Sequence, residues 1–258
     1  MDITQLQYFK IIAECGSLTK AARTLHISQP AMSAMLKRFE EELDVELMKT
    51  DLADLAQQNL SISAAFCDPG VCWFSVPRFS VAYPDVTLKD ALYENTDPVK
   101  LLTERTYDLV ITPCKIRDTR IQSLPFLTDR VFLSLPDNSK LLESKSISLK
   151  DIPAQPLLYP EIGGYFLAQI DRIISENNLP ITLVKNDFNI TQYLIQTTNF
   201  LATISTLSLA LRNDGAHRTL LPLDDPELQV TWHLSFLRTN RKKVGNFLDW
   251  ASTCPHPI

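Results

Sequence analysis

Residues 6–43 have the sequence LQYFKIIAECGSLTKAARTLHISQPAMSAMLKRFEEEL, and this stretch decides the fold of the first part of the chain. Apolar side chains recur every three to four positions, which predicts one helix over residues 4–14, a second after Ser17 and a third after Ser28. Serine is a favoured N-cap, and Pro30 is tolerated in a first helical turn. Two short helices joined by a tight turn predict a helix-turn-helix.

The third predicted helix has polar groups at its N-terminal end, where such a helix enters the major groove of DNA. Hydroxyl and amide groups suit base edges and phosphates, and basic groups suit the phosphate backbone. A three-helix bundle without nucleic acid has the same periodicity, which alone does not distinguish the two. The candidate DNA-binding residues are Ser17, Thr19, Ser28, Gln29, Pro30, Ser33, Lys37 and Arg38.

Three short motifs favour the DNA-binding interpretation. They are Gly16-Ser17 before the second helix, the pair Ala21-Ala22 within it, and the run SQPAMS over residues 28–33. With the residues between them, these motifs closely resemble the N-terminus of LysR-type transcriptional regulators. The resemblance implies a bacterial regulator that binds DNA and answers to a small-molecule effector.

Composition excludes several other classes of protein. The 258 residues are 45% apolar and 21% charged, with a net charge of −5, which is typical of a globular chain. The six glycines form no dinucleotide-binding, P-loop or nucleophile-elbow motif, and the four histidines form no H-E-x-x-H pair. The five cysteines are scattered, so we expect free thiols and neither a metal nor a cofactor. No apolar run is long enough for a membrane span, and we expect a cytoplasmic protein.

After residue 60, strand and helix patterns alternate, which predicts an α/β fold with parallel strands. The predicted strands cover residues 61–66, 86–93, 107–112, 124–136, 181–184, 201–204 and 230–237. The predicted helices cover residues 70–82, 97–104, 165–176, 190–197, 206–211 and 244–251.

This second part is similar to the effector-binding half of the same family. The similarity lies in VAYPDV at 81–86, YDLVI at 107–111, DRVFLSLP at 129–136 and SLKDI at 148–152. It implies two α/β subdomains joined by crossing strands, like a periplasmic binding protein. We expect a helix-turn-helix module over 1–50, a linker-helix remnant over 51–60 and an effector-binding domain over 61–258. Within that domain, subdomain one covers about 61–130 and 236–258, and subdomain two covers about 131–235.

In such folds the ligand lies between the subdomains, at strand C-termini and helix N-termini. Each candidate there also fits a plain role as a cap or turn residue. Asp68 argues against a carboxylate effector at its own loop. The candidate effector-binding residues are Phe66, Cys67, Asp68, Thr96, Thr112, Gly163, Gly164 and Thr203.

The chain departs from the family after residue 50, where relatives have a basic β-hairpin wing and a long dimerising helix. Residues 47–50 resemble the entry to the wing, and 51–58 resemble only the tail of that helix. Residues 1–50 hold six basic and seven acidic groups. This balance is unfavourable, because DNA affinity depends mainly on basic side chains that neutralise phosphates. Ala34 and Met35 also stand where relatives commonly have polar residues. Met35 suits either an exposed contact surface or the core. We therefore expect weakened DNA binding, and monomers or dimers formed through the effector domains alone.

Three functions fit the sequence. The first is a LysR-type regulator that binds double-stranded DNA and an unknown small effector. The second is an internally deleted or degenerate relative that binds ligand but not DNA specifically. The third is a solute-binding or enzymatic domain with a vestigial helical module, which no catalytic constellation supports. We expect a regulator that is not an enzyme.

Overall fold

The structure is a computed structural model that describes residues 8, 11–12, 15, 17–43, 61–209, 211–212, 214 and 217–254. At residues 36 and 38–43 it describes the backbone alone. The chain divides into two compact units, Met1–Ser61 and Ile62–Ile258. Most of the predicted helix over 4–14, the linker remnant over 51–60 and the predicted loss of the wing lie outside the described residues.

In the first unit the structure gives the bounds of the helices α1 (Leu18–Thr24) and α2 (Gln29–Leu43), and the described residues 8, 11, 12 and 15 before them are helical as well. The backbone N–H of Lys20 donates to Oγ of Ser17 (3.5 Å), which caps α1. The N–H of Ala31 donates to Oγ of Ser28 (3.3 Å) in the same way. Both serines therefore supply acceptors for amides that have no partner within their helices.

A small core holds α1 against α2. Ala21, Ala22 and Met32 are buried, together with Ile12. The alanine pair has no side-chain bulk beyond Cβ, which lets the two helices approach closely, as the sequence predicts. Met35 is half-buried and packs against this cluster, so of its two predicted roles the core role is confirmed.

The second unit alternates strands and helices. Its strands are β1 (Ser61–Phe66), β2 (Thr87–Leu92), β3 (Leu109–Thr112), β4 (Ile121–Pro136), β5 (Gln155–Pro160), β6 (Ile181–Asn186), β7 (Leu201–Ser205), β8 (Arg218–Pro222) and β9 (Gln229–Leu237). Its helices are α3 (Pro69–Ala82), α4 (Pro98–Thr103), α5 (Tyr165–Glu176), α6 (Phe188–Thr197) and α7 (Gly245–Thr253).

The strands form one continuous sheet in the order β2-β1-β3-β9-β4-β7-β5-β6, and β8 also pairs with β4. Residues 121–130 of β4 run antiparallel to β9, and residues 131–136 run antiparallel to β7 and β8. We call β1–β3, β9 and the first part of β4 the first lobe, and β5–β8 with the rest of β4 the second lobe. Within the lobes β1 is parallel to β3, and β5 is parallel to β6 and β7, as the predicted α/β class requires.

Each predicted helix and strand of this unit has a counterpart in the structure, with shifts of a few residues at the ends. The helix predicted over 206–211 is reduced to one 3₁₀ turn, Thr206–Ser208. The prediction lacks β5 and β8. Prolines at positions 156, 160 and 222 make these strands hard to recognise in the sequence, because proline is unusual within a sheet. The limits proposed for the two subdomains stay a prediction. The prediction returns the chain to subdomain one at about residue 236, whereas β9 pairs with β3 and the first part of β4 from residue 229 onward.

The close approach of α1 and α2 generates a test of the first unit. We expect Ala21→Leu to destabilise this unit by about 1–3 kcal/mol, because the added carbons do not fit a fully buried position. Hydrogen exchange of the full chain should show faster exchange in peptides from 17–43 and unchanged exchange in peptides from 61–254. Ala34→Leu is the matched control, since Ala34 is exposed; equal effects of the two substitutions would contradict this packing.

Candidate functional site

The first unit presents a polar stripe on α2. Gln29, Ser33 and Lys37 are exposed and four residues apart, so they lie along one side of the helix. Thr19 and Pro30 are exposed as well. Arg38 lies within α2, but its side chain is outside the described residues. The stripe offers an amide, a hydroxyl and an ammonium group at the spacing with which a recognition helix meets base edges and phosphates.

The second unit has a cavity between its two lobes, which we call the interlobe cavity. Its lining includes Asp68, Trp73, Tyr159, Phe166, Phe188 and Thr203. The rings of Trp73 on α3 and Phe188 on α6 meet edge to face at 5.5 Å between centroids. The cavity has a volume of about 40 Å³, which is room for a few water molecules. A drug-sized ligand would therefore have to separate the lobes.

Asp68 lies at the base of this cavity with 2% of its surface exposed. The backbone N–H of Gly70 donates to its Oδ1 (2.8 Å), and the N–H of Phe166 donates to its Oδ2 (3.1 Å). Burial raises the pKa of Asp68 to about 6, although the hydrogen bonds from Phe166 and Gly70 favour the charged form. One carboxylate thus caps α3 of the first lobe and meets the N-terminus of α5.

Asp129 is a second buried carboxylate, located where β4 changes partners. It accepts from the backbone N–H of Leu207 (3.2 Å) and from Nε1 of Trp232 (3.4 Å). Burial, and then the charge of Asp68, raises the pKa of Asp129 to about 7. Two coupled carboxylates therefore stand near the junction of the lobes.

Arg212 lines the interlobe cavity but does not neutralise Asp68. Its guanidinium forms a bidentate ion pair with Asp214, at 2.6 Å and 2.8 Å, and also donates to the carbonyl of Thr203. With this pair neutral, the remaining acidic side chain in the lining is Asp68, and its ionised carboxylate gives the cavity a negative character above about pH 6. The hydroxyl of Thr203 is buried, with 2% of the residue exposed, and has no hydrogen-bond partner among the described residues.

Of the eight predicted effector residues, the structure places Asp68 and Thr203 in the cavity lining. Phe66 is in the core, and Cys67 is half-buried beside Asp68.

The other predicted effector residues lie outside the lining. Thr112 donates to the carbonyl of Cys114 (2.8 Å), which is a structural role. Thr96 stands just before Asp97, which caps α4, and it is exposed outside this lining. Gly163 and Gly164, both with positive φ, adjoin Glu94 and Asp68.

Sequence reasoning did not identify the aromatic residues that line the cavity. It also did not identify Arg212 and Asp214, which form the ion pair. Trp73 and Phe166 lie inside predicted helices, where a large apolar residue ordinarily indicates core, and Phe188 lies just before the helix predicted over 190–197. Tyr159 lies on β5, which the prolines hide. Asp129 stands in the quoted motif DRVFLSLP, so a charged residue inside a predicted strand was the available indication.

Cys67 and Cys72, the close pair of cysteines, do not have the properties of reactive thiols. Burial, with the charge of Asp68, raises the pKa of the Cys67 thiol far above its ordinary value, and burial raises that of Cys72 to about 12. Both thiols stay protonated and unreactive near neutral pH. Within the described ranges, no three His, Cys, Asp or Glu side chains are grouped to hold a metal ion. No helix there is long and apolar enough to cross a membrane.

The two buried carboxylates generate a test of pH dependence. Their folded pKa values lie above the ordinary 3.8, so the stabilisation is complete below that value and is lost as pH rises through 6 and 7. We expect the free energy of unfolding to fall between about pH 5 and pH 8, by on the order of 4 kcal/mol. Urea unfolding followed by fluorescence measures it, because all three tryptophans lie in the second unit. The variant carrying Asp68→Asn and Asp129→Asn should show a flatter profile; an equal slope would refute the assignment.

Comparison with protein families assigns both units. Residues 3–52 match the bacterial regulatory helix-turn-helix proteins of the LysR family, and residues 66–253 match the LysR substrate binding domain. The chain is 18% identical to the full-length regulator CbnR, solved in complex with its target DNA. That likeness has a TM-score of 0.54 and covers 98% of this chain and 99% of that one, which shows a shared fold.

Two curated relatives cover much of the chain. The HTH-type transcriptional activator CmpR of Synechocystis is 21% identical over 288 positions, covering 95% of this chain and 93% of CmpR. The uncharacterized HTH-type transcriptional regulator YvbU of Bacillus subtilis is 27% identical over 212 positions, covering 66% of this chain and 70% of YvbU.

These alignments are longer than the parts of the chain that they cover. Since 95% of 258 residues is about 245, about 43 of the 288 positions of the CmpR alignment stand opposite gaps in this chain. The YvbU alignment spans 212 positions against about 170 residues, so it contains a similar number of gaps. The two family matches nevertheless cover most of the chain. The chain belongs to the LysR family of bacterial transcriptional regulators, which pair a DNA-binding helix-turn-helix with an effector-binding domain.

Proposed function

We propose that this regulator binds double-stranded DNA through the polar stripe of α2 and responds to a small molecule that enters the interlobe cavity. The observation that carries the DNA-binding part is the exposure of Gln29, Ser33 and Lys37 at a spacing of four residues. Ser17, Thr19, Ser28, Pro30 and Arg38 complete the proposed surface. Such a protein would act by regulation, not catalysis, in the cytoplasm where bacterial DNA lies.

The proposed affinity for DNA is weaker than that of relatives with a wing. Residues 1–50 are net −1, so few phosphates are neutralised at this surface. The gaps of about 40 positions in the long alignments support the loss of a segment. They agree with the sequence interpretation in which residues 51–58 keep only the tail of the linker helix.

For the effector, we propose a site around Asp68 and Thr203, the two predicted residues that line the cavity. The proposed role of Phe66, Cys67, Thr112, Gly163 and Gly164 is to hold the strand ends and loops that surround them. The aromatic rings of Trp73, Phe166 and Phe188 add apolar surface, which is typical of small-molecule sites.

Fluorescence anisotropy tests the DNA-binding proposal, with DNA from upstream of the protein's own gene and unrelated DNA as competitor. We expect preference for the upstream DNA and steep weakening with salt. Gln29→Ala or Ser33→Ala should reduce the preference by about 1–3 kcal/mol, since each removes a base-edge contact. Lys37→Ala should weaken binding to both DNAs alike and lower the salt slope by about 1.

Lys242→Ala is the matched control for Lys37→Ala, because Lys242 is exposed on the second unit. Equal, feeble binding to both DNAs at low salt would overturn specific DNA recognition. The alternative would then be a relative that binds ligand without reading DNA.

The same alignments generate an expectation for the oligomer. We expect sedimentation velocity to give monomers, or dimers that persist after deletion of residues 1–60, because dimers would form through the effector domains alone. A dimer lost on that deletion would show instead that the N-terminal part makes the contact.

A further inference from the structure

The N-terminus of α5 is closed by acceptors from the first lobe. The backbone N–H of Gly164 donates to Oε1 of Glu94 (3.0 Å). The N–H of Tyr165 donates to the carbonyl of Cys67 (2.9 Å). The N–H of Phe166 donates to Oδ2 of Asp68 (3.1 Å). Three successive amides, which ordinarily have no partner in a first helical turn, are therefore bound by residues at least 70 positions away in sequence.

Asp68 does more than cap its own helix. A plain N-cap explains the bond from Gly70 at 2.8 Å, but it does not explain the bond from Phe166, 98 residues along the chain. The N-termini of α3 and α5 meet at one buried carboxylate. Helix N-termini carry partial positive charge and exposed amides, and they bind free anions in many proteins.

The backbone is shaped to allow this approach. Gly164 has a φ of +101°, and a Cβ there would lie 2.5 Å from Cδ of Pro69 and 2.9 Å from Oδ2 of Asp68. Only glycine tolerates both the conformation and the contact. The second lobe therefore reaches Asp68 at a position where any side chain would hold the lobes apart.

A separate observation indicates that a ligand belongs beside this carboxylate. Thr203 lines the same cavity, is 2% exposed, and its hydroxyl has no hydrogen-bond partner among the described residues. A buried hydroxyl without a partner is costly, and a polar ligand would remove that cost. Arg212 does not attract an anion there, because Asp214 already neutralises it.

We propose that the amides of Gly70 and Phe166 form an anion-binding site at the interlobe cavity, which the chain fills with its own Asp68 carboxylate. The effector that reaches Thr203 accordingly carries no negative charge at this position; it is an uncharged polar molecule or a cation. The second statement rests on the proposed function, whereas the first rests on the geometry alone.

Replacement of the carboxylate tests the first statement. Asp68→Ser keeps a cap for α3 but is too short to reach α5, so the amide of Phe166 loses its acceptor. We expect sodium formate to raise the unfolding midpoint of this variant saturably, beyond sodium chloride of equal ionic strength. The wild type should respond identically to the two salts. Identical responses in the variant, or saturable formate binding to the wild type, would overturn the proposal.

A control variant and a second experiment on the wild type accompany this test. Asp68→Asn fills the same space without charge and should show no specific formate effect; a formate effect there would place the anion elsewhere. If Asp68→Ser does not fold, NMR of the Thr203 methyl group in the wild type tests which class of ligand enters the cavity. Acetamide should shift that signal saturably and acetate should not; a saturable acetate shift, or no acetamide shift, would refute the proposed ligand class. None of these measurements uses DNA, so loss of DNA binding would leave their outcome unchanged.

Discussion

The antiparallel pairing of β4 with β9 is the constraint on which the second unit depends. β4 is 16 residues long and changes partners along its length, so a single strand belongs to both lobes. Asp129 stands at this change, and its carboxylate accepts from Leu207 of the second lobe and Trp232 of β9. The cavity exists because two half-sheets are joined there and leave a gap between α3, α5 and α6.

The chemistry of that gap follows from how buried charge is compensated. Among the described residues, no cation donates a hydrogen bond to Asp68 or Asp129, and backbone amides of helix starts and turns stabilise their charges. Each bond also ties one segment of the lobe junction to another. The same contacts that stabilise the buried carboxylates therefore also join the lobes around a cavity of about 40 Å³.

The sequence by itself could predict every element whose pattern is local. The capping serines, the Ala21-Ala22 pair and the alternation after residue 60 are visible in the order of residues, since caps and periodicity act over a few positions. The same holds for the polar stripe of α2. β5 escaped prediction because its prolines oppose a strand locally, whereas its place between β6 and β7 is set by pairing with distant segments.

The cavity was only partly predictable. Asp68 could be found because it follows β1, and Thr203 because it lies near the C-terminal end of the predicted strand 201–204, where ligands gather in such folds. Nothing in the sequence indicated that Asp68 reaches the amide of Phe166, or that Trp73 meets Phe188, because those contacts join residues about 100 positions apart. The sequence alone determined the family, the class of fold and the helix-turn-helix whose second helix we propose to face DNA. Only the tertiary structure decided which side chains share the cavity and that a carboxylate already occupies its helix N-termini, since long-range packing is not encoded in any local pattern.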